Sequence, residues 1–275
     1  MTTHAEKAAH FLELHGRDRP LLLANAWDAG SAKLLASLGY QALATTSSGY
    51  AASLGRLDYG ITREESLAHA AALVVATDLP VSADLEDCFA VDPVGVVETV
   101  RLALDAGLAG CSIEDWNPRE QQLYDVDEAA ERVAAAAAAA HAGDVHLVLT
   151  ARAENYLRGN PDVTDTIARL QAYQAAGADV LYAPALDHPE ELREMLATVE
   201  RPVNVLARQG TPPVAELAKM GVKRISVGGG FAFTAYGAAV QAARELMSDG
   251  TYRFTDLSTV GAKAARAAFA SEDAG

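Results

Sequence analysis

LPVSADLEDCFAVDPVGVVETVRLALDAGLAGCSIED, residues 79–115, reads as one complete strand–helix–strand unit. PVSAD (80–84) and AGCSIE (109–114) are short apolar runs of the kind that a strand buried on both faces requires. Between them, Asp92-Pro93 sets a capping residue beside a helix-compatible proline and opens a helix over 92–106. Gly107 follows that helix where a left-handed cap is needed. Each strand ends in acids: Asp84, Glu86 and Asp87 after the first, Glu114 and Asp115 after the second. A charge at the end of a buried strand is costly to hold without a partner.

The same alternation runs outward in both directions. Strand-like runs occupy 21–26, 41–46, 80–84, 109–114, 145–151, 179–184, 202–207 and 223–228. Helical patterns follow at 28–38, 63–77, 92–106, 126–141, 161–176, 188–199, 211–220 and 231–247. Gly39, Gly177 and Gly221 close helices as Gly107 does. Eight βα units in succession predict a closed parallel (β/α)8 barrel within the α/β class. An open doubly wound sheet is the alternative, but the regular spacing favours closure, and no G-x-G-x-x-G follows the first strand. Flanking helices are expected at 3–16 and 255–270. The second exceeds what eight units need, and it is expected to pack on, or swap into, a neighbouring subunit. No linker rich in Pro, Gly or Ser interrupts the chain, so one domain over 1–275 is expected.

Half of the 275 residues are hydrophobic, enough for a barrel core. Lys and Arg total 22 against 37 Asp and Glu, a net charge of −15 that repels nucleic acid and anionic lipid. Neither is expected as a partner, and an anionic substrate needs a local arginine or metal to offset the field. Cys88 and Cys111 give no disulfide framework, no apolar stretch has the length of a membrane span, and the N-terminus lacks a signal-peptide core. The expectation is a soluble cytoplasmic protein.

Catalysis in such a barrel sits at the C-terminal ends of the strands. Asp84 and Glu86, two apart, share a side of an extended segment and suit a divalent ion bound directly or through its waters. Glu114 or Asp115 can complete the surroundings of that ion. Asp58, in the long loop SLGRLDYG, can reach its waters, or simply form a turn. Arg152 ends the fifth strand and suits bidentate carboxylate recognition; an ion pair with Glu154 or Glu114 is the competing role. Thr46, Ser47 and Ser48 lie in a small-residue loop whose hydroxyls and N–H groups can hold a developing oxyanion. Gly228-Gly229-Gly230 opens the last barrel helix and offers either a second carboxylate site or a tight turn. Asn204 is placed to face the mouth, and Trp27 to wall the pocket or pack in the core. The histidines show no metal-ligand spacing, and buried inertness is the expected state of Cys88.

Taken together, ANAWDAGSAKLLASLGY, TTSSGYAASLGRLDYG, LPVSADLED, AGCSIED, LTARAENYL, YQAAGADVLYAP, VNVLA and GVKRISVGGG resemble the isocitrate lyase/phosphoenolpyruvate mutase superfamily. The likeness runs in order from about residue 20 to 245. It implies a TIM-like barrel with Mg2+ at the mouth, Mn2+ being a substitute, and tetramers or dimers in which a C-terminal helix crosses between subunits. It implies metal-site carboxylates at Asp58, Asp84, Glu86 and Glu114, the substrate arginine at Arg152 and the oxyanion segment around Thr46, Ser47 and Ser48. Three departures stand out. After Glu114-Asp115 the chain reads WNPREQQLYDVDEAAERV, without the K-K-C-G-H loop of the lyase branch. The K-T-N segment of the mutase branch is missing too. Glu86 stands where the family usually has Asp.

The expected activity is a Mg2+-dependent lyase or decarboxylase acting on a small 2-oxo or 2-hydroxy dicarboxylic acid through an enolate. Asp58, Glu114 and Arg152 are the expected catalytic groups. No proton donor is evident beyond a water or Tyr50. The alternatives are isocitrate- or methylisocitrate-type C–C cleavage, phosphonopyruvate P–C chemistry, and a non-catalytic protein that binds a 2-oxo acid.

Overall fold

In a computed structural model, which describes residues 2–270, eight parallel strands close into a barrel. They are β1 (Leu21–Ala26), β2 (Leu43–Thr45), β3 (Val81–Asp84), β4 (Gly110–Glu114), β5 (Val148–Arg152), β6 (Val180–Tyr182), β7 (Val203–Leu206) and β8 (Arg224–Ser226). Closure is through β1 and β8, with Leu21 opposite Arg224 and Leu23 opposite Ser226. Met1 and residues 271–275, part of the expected 1–275 unit, lie outside the described residues.

The barrel forms because its strands are apolar on both faces. β2, β4 and β6 are buried at every position, as strands sandwiched between a filled interior and a helical coat must be. Several coat helices start where the sequence places capping side chains. Asp92 accepts the Gly95 N–H ahead of Pro93, and Thr62 makes a reciprocal capping box with Glu65. Leu73, Val96, Val100, Leu170 and Leu192 then fill the layer between coat and strands. The N-terminal helix His4–Leu14 closes the lower end of the barrel with Phe11. A Cβ at Gly110 would lie 2.7 Å from the Phe11 ring and 2.8 Å from the Val148 carbonyl, so that close approach needs glycine.

Register carries the charges to one end. Glu114 pairs with Arg152, Asp84 with Ser112, and Tyr182 with both Arg152 and Asn204.

Two segments differ from the sequence expectation. The Thr46–Ser48 stretch is not a loop: Thr46 caps a helix, Ser47–Ser53, by accepting the Gly49 N–H. A capping threonine followed by small residues nucleates a short turn of helix there. The segment after Asp115 contains a small antiparallel pair, Trp116–Asn117 with Gln122–Leu123. The last two helices, Gly230–Ser248 and Thr255–Phe269, bury only Ala232 and Ala268. They expose Phe233, Tyr236, Val240, Leu246, Met247, Leu257 and Val260, while Phe269 approaches Gly30 of the same chain. Among the described residues, no helix is long and apolar enough to cross a membrane.

Candidate active site

At the C-terminal ends of the strands lies a cavity of about 190 Å3. Pockets for drug-sized ligands are roughly 300–1,000 Å3, so this one suits a much smaller molecule. Thr46, Ser47, Ser48, Asp58, Asp84, Glu114, Arg152 and Asn204 all line it, so eight of the ten expected residues meet at one place.

Asp84 is its organising acid. Its backbone N–H donates to Thr45 Oγ1 at 2.8 Å, which fixes the end of β3. Oδ1 accepts from Arg152 at 2.9 Å, and Oδ2 accepts from Ser47 Oγ at 3.0 Å. Ser47 Oγ also lies 3.1 Å from Asp58 Oδ1. A hydroxyl has one proton to give, so it cannot donate to both acids at once. Burial, then the neighbouring Asp84, pushes the Asp58 carboxyl above its ordinary range.

Arg152 compensates three acids together. It meets Asp84 at 2.9 Å, Glu114 at 3.1 Å and Glu154 at 2.8 Å. The ion pairs with Glu154 and Glu114 are present, and the same arginine lines the cavity. The Glu114 carboxyl is driven well up by burial, against the opposing pull of Arg152. It also accepts the Tyr59 hydroxyl, and Arg158 reaches that same hydroxyl.

Two expected residues fall outside the lining. Trp27 is half-buried past the end of β1, where the chain turns into the helix capped by Asp28. Asn25 takes the mouth-facing position instead. Its Oδ1 accepts the Val227 and Gly228 N–H groups, both at 3.0 Å, so those donors serve a tight turn rather than a second carboxylate. Glu86 is buried behind the cavity because the chain is not extended there. Its φ is +51°, and Cys88 and Phe89 follow at +61° and +52°. Such left-handed runs of non-glycine residues store strain, commonly at functional sites.

The other acids of these loops are structural. Asp115 is held by Arg169 at 2.9 Å and Tyr173 at 2.6 Å. Asp87 is clamped at 2.5 Å by Arg119 from the small antiparallel segment, with Arg132 behind it. Tyr50, the candidate proton donor, stacks on His69 at 3.9 Å and does not line the cavity. The Cys88 thiol is fully buried and pushed well up, so it is inert. Sequence reasoning missed Tyr59 and Arg158, both of which line the cavity. Tyr59 follows Asp58 directly, and Arg158 lies four residues beyond Glu154, a helical spacing that could have flagged it.

The charge balance and one orphaned atom fit a divalent cation. Asp58, Asp84, Glu86, Glu114 and Glu154 outnumber the three guanidinium groups that line the cavity, Arg152, Arg158 and Arg224. Glu86 Oε1 is buried without a hydrogen-bond partner. Burial, then Asp84, Asp58 and Asp87, pushes the Glu86 carboxyl up to about 9. Among the described residues, these mouth acids do not place three donor atoms within 4.8 Å of one another. They therefore suit an ion such as Mg2+ that keeps much of its water.

A pH dependence follows. The Glu86 carboxyl sits at about 9 in the fold against an ordinary 4.5. Between those values the folded protein holds a proton that the unfolded chain has released. Stability without divalent ions is expected to fall as pH rises across that window, by at most about 1.4 kcal/mol per pH unit. Mg2+ is expected to raise Tm more at about pH 8.5 than at about pH 6, because the ion displaces the proton. A Tm indifferent to both pH and Mg2+ would contradict this account of the site.

The comparison with known proteins fits this geometry. The phosphoenolpyruvate phosphomutase family model matches residues 11–247. The chain belongs to that family. A crystal structure from Burkholderia cenocepacia J2315, named provisionally as a lyase/mutase, is 50% identical with a TM-score of 0.89 and covers 92% of each chain. An uncharacterized protein of Mycobacterium tuberculosis is 35% identical over 87% of this chain and 89% of its own length. The 2,3-dimethylmalate lyase of Eubacterium barkeri is 30% identical over 70% of this chain and 68% of its own length. Family relatives with an assigned activity include lyases, and this member is an enzyme of the carbon–carbon lyase type.

Proposed function

We propose that the chain is a Mg2+-dependent lyase that cleaves the bond beside C3 of a small 2-oxo or 2-hydroxy dicarboxylic acid. The observation that carries this is the meeting of Asp58, Asp84 and Glu114 with Arg152 in one small cavity at the strand ends. Asp84 is the candidate direct ligand of the cation, with Asp58, Glu86 and Glu114 arranged around it. When bound, Mg2+ supplies Lewis-acid stabilisation to the oxygen on which charge develops.

The residues divide the remaining work. Ser47 holds Asp58 and Asp84 in place. Thr46 and Ser48, 3.2 Å apart through their hydroxyls, offer donors to the substrate oxygen. With a cation beside Asp84 and Glu114, Arg152 can exchange one carboxylate for that of the substrate. Arg158, whose Nε is buried without a partner, is a second cation available to an anionic group. Tyr59 is the candidate proton donor. Burial first, and then Glu114, keeps its hydroxyl protonated, and to act as an acid it relies on Arg158, in contact with that hydroxyl, to stabilise the phenolate left behind.

The test is a panel of oxo acids, hydroxy acids and phosphonopyruvate, with products identified before and after chelation. Cleavage of a dicarboxylic acid to a 2-oxo acid, lost with chelator and restored by Mg2+, is the expected result. Tyr59→Phe is expected to lower kcat by about 10²–10⁴-fold, the range for loss of one general acid. Mg2+-dependent binding of a 2-oxo acid with no turnover on the panel would replace the lyase reading with a binding protein. The exposed apolar side chains of the last two helices support a homo-oligomer with buried C-terminal helices. A solution mass equal to the 28.8 kDa of one chain would count against that.

A further inference from the structure

At the opposite end of the barrel, His141, His146 and Asp179 come together from three separate segments. His141 follows the helix Val126–Ala140, His146 lies just before β5, and Asp179 just before β6. His141 Nε2 is 3.0 Å from Asp179 Oδ2, and His146 Nε2 is 3.0 Å from Asp179 Oδ1. The two imidazole rings stack 4.1 Å apart and within 9° of parallel. One donor atom from each residue lies within 4.8 Å of the other two. The Leu149 N–H, donating to Oδ2 at 2.9 Å, orients the carboxylate from behind.

We propose that these three residues form a second metal site, selective for Zn2+ and similar transition metals. Zn2+ takes imidazole nitrogen at about 2.0–2.1 Å and carboxylate oxygen at about 2.0–2.2 Å, so neighbouring donors of a tetrahedral site stand roughly 3.3 Å apart. The two N···O separations of 3.0 Å reach different oxygens of Asp179 and the rings lie nearly parallel, so binding one ion requires the two partly exposed imidazoles to turn toward a common point as well as a few tenths of an ångström of adjustment. Two imidazoles with one carboxylate favour this class of metal, whereas the all-oxygen mouth favours Mg2+. The His141 and His146 side chains are 27% and 39% exposed and Asp179 only 9%, so an ion can enter from solvent onto an anchored carboxylate. A bound ion would tie the start of β5 to the start of β6, contacts that exist only in the fold. Binding therefore appears as thermal stabilisation.

The test uses chelator-treated full-length protein with Mg2+ in excess, so that the mouth site is occupied, and titrates Zn2+ alone by calorimetry and by Tm. The expected result is one Zn2+ per chain and a raised Tm, with affinity reduced at least tenfold in both His141→Ala and His146→Ala and kept in Asp84→Asn. Should a variant fold poorly, Co2+ on the unaltered protein gives an independent reading, with the intense visible absorption of a tetrahedral nitrogen–oxygen site expected. Absence of Zn2+ binding under excess Mg2+, an affinity in both histidine variants unchanged from that of the unaltered protein, or a weak octahedral Co2+ spectrum would overturn the proposal. The histidine–aspartate contacts would then be ion pairs and nothing more.

Discussion

Arg152→Ala is expected to lose both stability and activity, the stability by about 3–5 kcal/mol, the usual cost of removing one partner from a buried ion pair. The guanidinium is the shared counter-charge of Asp84, Glu114 and Glu154, at 2.9, 3.1 and 2.8 Å. Without it, three largely buried carboxylates face one another across the barrel mouth. Activity is expected to fall at least about 10³-fold, combining a lost electrostatic contact with lost positioning. Arg152→Lys separates the two effects. A lysine keeps the charge but cannot address three carboxylates through a planar fork, so much of the stability should return without the activity. Mg2+ should restore part of the Arg152→Ala stability, since the ion supplies positive charge to the same acids. Thermal melts with and without Mg2+, alongside kcat/KM, measure all of this. An Arg152→Ala protein with unchanged Tm and only a raised KM would make Arg152 a plain substrate clamp.

Asp84→Asn should do the reverse. Activity and Mg2+ binding are expected to fall by about 10³-fold or more, because the candidate direct ligand is gone. Stability without metal should hold or rise. Asp84 contributes to the upward push on both Asp58 and Glu86, so neutralising it relieves two crowded acids. Arg152 keeps Glu114 and Glu154 as partners. Gained stability with lost function is the usual mark of a site kept strained for its chemistry. The checks are Tm in chelator and the Mg2+ dependence of turnover. A marked loss of stability with activity retained would make Asp84 structural.

The barrel was legible because most strands are buried on both faces and several helices carry their own start signal. Asp92-Pro93 and Gly107 bracket a helix that the structure runs from Pro93 to Asp105. The site was legible where charged residues stand directly at strand ends, as Asp84, Glu114 and Arg152 do. It was less so beyond them. Glu86 belongs beside Asp84 only in an extended backbone, and the positive φ at Glu86, Cys88 and Phe89 sends it behind the cavity instead. Position alone leaves Trp27 open between the pocket wall and the core, and the mouth is taken by Asn25, two residues earlier. Tyr59 and Arg158 come from loops, whose course depends largely on tertiary contacts; only the four-residue spacing from Glu154 hints at Arg158.

The central claim, a divalent cation held by Asp84 at the barrel mouth and bridged to a keto acid, has a direct test. Mn2+ substituted for Mg2+ can be followed by electron paramagnetic resonance, with oxalate as a non-reacting mimic of the two chelating oxygens. The account predicts that the signal of free Mn2+ is lost on binding to the unaltered protein, that oxalate tightens this binding, and that Asp84→Asn abolishes the oxalate effect. Oxalate-tightened binding that persists unchanged in Asp84→Asn, or no effect of oxalate on either protein, would contradict it.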